Sequence, residues 1–84
     1  MFYYVYMLKS ITPRHKKTYV GYSNNVNLRL DKHNTNKGAK STKGYKWILI
    51  YKKRFNTKVD AMKFEYKIKS NKTERKRILK KYNR

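Results

Sequence analysis

The sequence predicts a small α/β sandwich forming one domain, residues 1–84, with a three-stranded antiparallel or mixed sheet flanked by helices in the order β-β-α-β-α-α. Three observations predict it. A chain of 84 residues is one domain's length and not two. Short aromatic and β-branched runs alternate with segments of helical spacing. Polar clusters rich in Ser, Asn, Gly and Pro separate them.

Tyr3 to Lys9 and Thr18 to Tyr22 carry the residue types of strands. Ser10 to Lys17 between them is polar and basic and contains Pro13, which suits a hairpin loop and an antiparallel pair. Ser23, Asn24 and Asn25 supply capping chemistry for a helix with Val26, Leu30 and His33 on one face. Asn34 to Gly44 is a polar loop, and Trp47 to Phe55 is a third strand, buried at its start and basic at its end. Thr57 caps the next helix, with Asp60 three residues on; Val59, Met62, Tyr66 and Ile68 form its apolar stripe through Lys69. Asn71 and Thr73 break the chain before a last, basic helix over Glu74 to Tyr82, anchored by Ile78, Leu79 and Tyr82.

Charge dominates the composition. Twenty-four Lys and Arg face four acids, Asp31, Asp60, Glu65 and Glu74, for a formal +20. Self-repulsion on this scale makes a polyanion the natural partner: nucleic acid, an anionic membrane surface or an acidic protein. No apolar run is long enough to span a bilayer, and Met1 to Leu8 carries no basic leader, so a soluble, cytoplasmic protein without membrane association is expected. The absence of cysteine excludes disulfides and zinc–thiolate sites.

Few residues stand out for chemistry. Glu65 lies three residues from both Met62 and Ile68, which places an acid at or beside a core-facing stripe. A salt bridge to a neighbouring cation explains that position, and on spacing alone is the favoured reading. The functional reading is a hard oxygen ligand for Mg²⁺. Arg29 and His33, four apart, share a helix face; an arginine there can clamp a phosphate, or be one solvated cation among many. Tyr4 and Tyr6 share a strand face, Tyr19 could lie opposite, and Tyr22 follows. Core packing accounts for most tyrosines, while a tyrosine whose pKa is lowered by cations can deprotonate a water. Lys37, Lys40, Ser41, Thr42 and Lys43, bracketed by Gly38 and Gly44, form a basic, hydroxyl-rich loop suited to phosphate contact or simply to solvent.

In order, these pieces resemble the GIY-YIG nuclease family. Tyr4-Val5-Tyr6 matches its first motif and Tyr19-Val20-Gly21 its second. Arg29 stands where the family has its catalytic arginine, His33 where it often has His or Tyr, and Glu65 where it has its metal-binding glutamate. The resemblance is strongest over residues 3–70, leaving 71–84 as the basic terminal helix; TYVGYSNNVNLRLDKHN and KGAKSTKG are most similar to short stand-alone members grouped with the UvrC amino-terminal nuclease and the Slx-type structure-specific endonucleases. Tyr4 replaces the first motif's glycine, and Asn71 only loosely matches an asparagine that some members use late in the domain.

The resemblance implies a metal-dependent endonuclease acting on DNA, selective for structure or for single strands, in repair or recombination. It implies one Mg²⁺ or Mn²⁺ on Glu65, Tyr6 taking a proton from the attacking water with Tyr19 and His33 assisting, and Arg29 stabilising the transition state. Two other classes compete: a non-catalytic basic module that binds nucleic acid, and a nuclease subunit whose specificity comes from a protein partner. A silent binder predicts the loss of a key residue, whereas Tyr6, Tyr19, Arg29 and Glu65 are all present.

Overall fold

A computed structural model describes residues 1–11 and 17–82. The elements run β1 (Tyr3–Ser10), β2 (Thr18–Ser23), α1 (Val26–Asn34), a 3₁₀ turn (Lys40–Thr42), β3 (Trp47–Phe55), α2 (Lys58–Lys69) and α3 (Lys72–Tyr82). The predicted order holds. The turn expected around Pro13 lies outside the described residues.

The sheet order is β2-β1-β3, with β1 antiparallel to both neighbours, so the antiparallel alternative is the one adopted. β1 takes the centre because both its faces are apolar: Val5, Tyr6, Met7 and Leu8 are all buried. Alternation sends Val5 and Met7, with Val20 of β2, to one face, where Ala61, Ile68 and Ile78 of α2 and α3 cover them. Tyr6 and Leu8 point the other way and pack with Val26 of α1 and Trp47 of β3. Helices therefore lie on both faces, and β2 is left as an edge.

Capping follows the sequence. The Asn25 side chain accepts from the Leu28 N–H (3.1 Å) and Thr57 from the Asp60 N–H (3.1 Å). Asn71 accepts from the Glu74 N–H (3.0 Å), so α3 begins at Lys72, two residues earlier than expected. That bond gives Asn71 a capping role.

The stripe assigned to α2 is corrected. Val59, Met62 and Tyr66 are 59%, 45% and 74% exposed, and the buried face is Ala61 and Ile68 with partly buried Phe64. Ala61, fully buried, lets the helix backbone approach the sheet closely, and Phe64 packs on Phe55 with ring centroids 5.1 Å apart. A small residue set the register there, where the larger side chains had suggested another. Tyr82 is also a weaker anchor than expected: it is 46% exposed, with Lys9 Nζ 5.8 Å from its ring centroid.

Candidate active site

The site begins with the register of the first hairpin. Tyr6 stands opposite Gly21, and Tyr19 stands opposite Leu8, so Tyr19 is diagonal to Tyr6 and not across from it. The two rings are 6.3 Å apart. A Cβ at position 21 would fall 2.6 Å from the Tyr6 hydroxyl and 3.0 Å from the Tyr19 ring. Glycine is thus required for the Tyr6 ring to lie across β2 toward the open edge of the sheet. Tyr4, in place of the motif's glycine, sits in the regular ladder opposite Ser23 and Arg54, with Lys52 Nζ 5.1 Å from its ring centroid; the departure leaves the strand intact.

Helix α1 brings His33 behind this pair. His33 is 1% exposed, its Nε2 lies 3.0 Å from the Tyr6 hydroxyl, and its ring centroid is 4.7 Å from that of Tyr19. Its Nδ1 is 3.0 Å from the Thr42 hydroxyl. Arg29, one turn earlier, reaches the cleft instead.

That cleft, about 450 Å³, runs along the edge strand and takes side chains from both faces of the sheet. Tyr6, Tyr19 and Arg29 come from the α1 side, and Tyr22 and Glu65 from the α2 side. Only beyond an edge can the two faces meet, so β2's position brings Arg29 and Glu65 together. Glu65 is mostly shielded, its side chain 17% exposed, and it pairs with Lys69 Nζ at 3.4 Å. The ion pair expected on structural grounds therefore exists. Lys69 Nζ also lies 5.7 Å from the Tyr19 ring centroid.

Lys58 lines the cleft and Lys69 pairs with Glu65 from beside it, and the sequence reading had passed over both. Both are on the Glu65 face of α2, seven residues before and four after it, a spacing that could have found them.

Burial decides the protonation states. It pushes the Tyr6 hydroxyl up to about 12, reinforced by Tyr19 and Glu65, while the charge and hydrogen bonding of Arg29 pull against it. The expectation of a tyrosine made acidic by cations is overturned, because desolvating the phenolate outweighs the nearby guanidinium. Burial, then the Arg29 charge, lowers the pKa of His33, leaving a neutral imidazole.

Glu65 suits a divalent ion. Mg²⁺ binds through one or two carboxylates and keeps several waters, and here a single carboxylate faces a wide, largely polar cleft. Among the described residues no group of three or more His, Cys, Asp and Glu gathers to make a protein cage, so the remaining ligands would be water and substrate oxygens.

In the basic loop, Lys37, Lys40, Ser41 and Lys43 are exposed, and Ser41 shares a shallow depression with Tyr19, Lys69 and Arg75. Thr42 is corrected: it is fully buried, with its hydroxyl engaged by His33 and the Ala39 carbonyl, and no phosphate can reach it.

The profile of the GIY-YIG catalytic domain matches residues 2–83. The chain belongs to the GIY-YIG family. It is 44% identical to a UPF0213 protein of Oceanobacillus iheyensis over 80% of this chain and 76% of the other, and 41% identical to one of Staphylococcus haemolyticus over 81% and 80%. The solution NMR structure of a UPF0213 protein from Bacillus halodurans superposes with a TM-score of 0.52 at 34% identity, covering 94% of this chain and 82% of that one. GIY-YIG domains form a nuclease superfamily, and Tyr6, Tyr19, Arg29 and Glu65 of this chain line the cleft. No helix among the described residues is long and apolar enough to cross a membrane.

Proposed function

We propose that this GIY-YIG protein is a metal-dependent endonuclease that hydrolyses phosphodiester bonds in nucleic acid, with DNA as the substrate. The observation that carries the reading is the convergence of Tyr6, Tyr19, Arg29 and Glu65 on one cleft, with His33 bonded to Tyr6 from behind. Cations on both walls, Arg29 and Lys32 on one and Lys58 on the other, draw a phosphate toward the single carboxylate.

Burial favours the neutral phenol at Tyr6, pushing its hydroxyl up to about 12. The phenol can relay. As the attacking water loses a proton to the Tyr6 oxygen, Tyr6 passes its own proton to His33 Nε2, and the water oxygen forms the new bond to phosphorus. The bond to the leaving oxygen breaks, and that oxygen is protonated by solvent. Arg29 donates to the phosphoryl oxygens as their charge grows. A divalent ion on Glu65, when bound, supplies Lewis-acid charge to the scissile phosphate. Selectivity in this reading rests on substrate shape, single-stranded or branched, in keeping with work in repair or recombination.

The test is cleavage of labelled single-stranded, duplex, flap and branched DNA by wild type and Glu65→Ala, in Mg²⁺, Mn²⁺ and EDTA. Cutting that needs both metal and Glu65, with binding by Glu65→Ala near wild type, supports the enzyme. Binding without cutting on every substrate points instead to a silent module or a partner-dependent subunit.

A further inference from the structure

Thr42 was expected among the phosphate contacts, but its hydroxyl does something else. A hydroxyl has one proton to give. Thr42 Oγ1 lies 2.7 Å from the Ala39 carbonyl oxygen, which can only accept, so its proton points there. Toward His33 Nδ1, 3.0 Å away, the same oxygen must then be the acceptor. Nδ1 therefore carries the imidazole proton. In a neutral ring this leaves Nε2 bare, and the bond to Tyr6 at 3.0 Å runs from the phenol to the histidine.

The loop is built to hold this arrangement. Trp47 Nε1 donates to the Thr42 carbonyl at 3.0 Å, fixing the backbone at that residue. Gly38 presses so close that a Cβ there would fall 2.4 Å from His33 Nδ1. Asn36 Oδ1 accepts from the Gly44 N–H at 2.9 Å and ties the far end. Beneath its exposed lysines, the loop is a mould for one imidazole ring.

We infer that Thr42 is a positioning residue: by accepting the Nδ1 proton of His33 it fixes the tautomer in which Nε2 faces Tyr6 as the proton acceptor. The consequence for rate rests on the nuclease reading above; the tautomer itself does not. Without an acceptor at position 42, an Nδ1–H would be buried unpaired, and the proton would move to Nε2, where the Tyr6 oxygen can accept it. Tyr6 would then have no base to receive its proton.

The first readout is the imidazole ¹⁵N spectrum, recorded where the ring is neutral and assigned with His15→Gln, since the chain has two histidines. Wild-type His33 should show a protonated Nδ1 and a bare Nε2. Thr42→Val should move the proton to Nε2, and Thr42→Ser should restore the wild-type pattern. Cleavage should follow, falling roughly a hundredfold to ten-thousandfold in Thr42→Val at unchanged DNA affinity, the range of general acid–base contributions, and recovering in Thr42→Ser. A wild-type spectrum with Nε2 protonated overturns the inference, even if Thr42→Val does not fold. So does a Thr42→Val spectrum identical to wild type, or a serine variant that fails to restore the tautomer. If the tautomer shifts as stated while wild type cuts nothing, the nuclease reading falls and the role of Thr42 in orienting His33 stands.

Discussion

Gly21→Ala adds one methyl group at the point where the fold and the chemistry meet. The new Cβ would lie 2.6 Å from the Tyr6 hydroxyl and 2.7 Å from Cζ of the same ring, where ordinary contact is 3.4–4 Å. The ring must retreat by most of an ångström. Tyr6 is 1% exposed and packed among Leu8, Val26 and Trp47, so its ring can give way only by tilting toward the cleft. Overpacking of this kind costs about 1–3 kcal/mol. For a domain of this size each kilocalorie lowers the melting temperature by roughly 4–8 °C, so a drop of about 4–24 °C is expected. The shift also pulls the hydroxyl off His33 Nε2, now 3.0 Å away. Misplacement on that scale costs on the order of a hundredfold in rate. Circular dichroism melting and single-turnover cleavage at saturating enzyme measure the two effects separately. A variant with an unchanged melting temperature and rate would refute the close packing of Tyr6 over β2 and, with it, this account of the second motif's glycine.

Other expectations follow from the same geometry. Arg29→Ala should lower the single-turnover rate by orders of magnitude while titration shows only a modest loss of DNA affinity, because in the proposed reaction its guanidinium acts on charge that develops in the transition state. Lys40→Ala, in the exposed part of the loop, should weaken binding to all sequences alike and flatten the plot of log affinity against log salt by about one unit; a sequence-selective loss would remove the loop from backbone contact. Stability should respond to pH at both ends. His33 has a folded pKa below its ordinary 6.5, so it stays neutral in the fold, and its contribution, present above pH 6.5, is lost as pH falls below it. Tyr6 runs the other way: with a folded value of about 12 against 10.0, its contribution is present below pH 10 and lost as pH rises toward 12. Urea titrations of His33→Gln and Tyr6→Phe should each flatten the corresponding limb.

Much of the fold was legible because strand and helix periods and capping residues are local signals. Asn25, Thr57 and the apolar run of β1 could be read without knowing what packs on them. The buried face of α2 could not. Ala61 carries almost no hydrophobic signal, yet as the smallest residue of the stripe it sets how the helix seats, turning Val59, Met62 and Tyr66 outward. The candidate site was legible as an ordered series, Tyr6, Tyr19, Arg29, His33 and Glu65, and the cleft gathers four of them. Its protonation states were not, because the shift on Tyr6 depends on burial by residues distant in sequence. Thr42 was misread for a related reason: composition marks a loop as polar but does not say which of its hydroxyls turn inward.

The position of β2 has one more consequence. An edge strand offers unpaired backbone groups and is an open template for a further strand. Here that edge is the floor of the cleft, so a peptide adding itself along Thr18–Ser23 would roof over Tyr6 and Arg29 while occupying the approach of any substrate. β-Augmentation and substrate access are mutually exclusive on this face. Two copies of a chain at +20 repel one another, which guards the edge against self-pairing, whereas an acidic extended segment meets no such barrier.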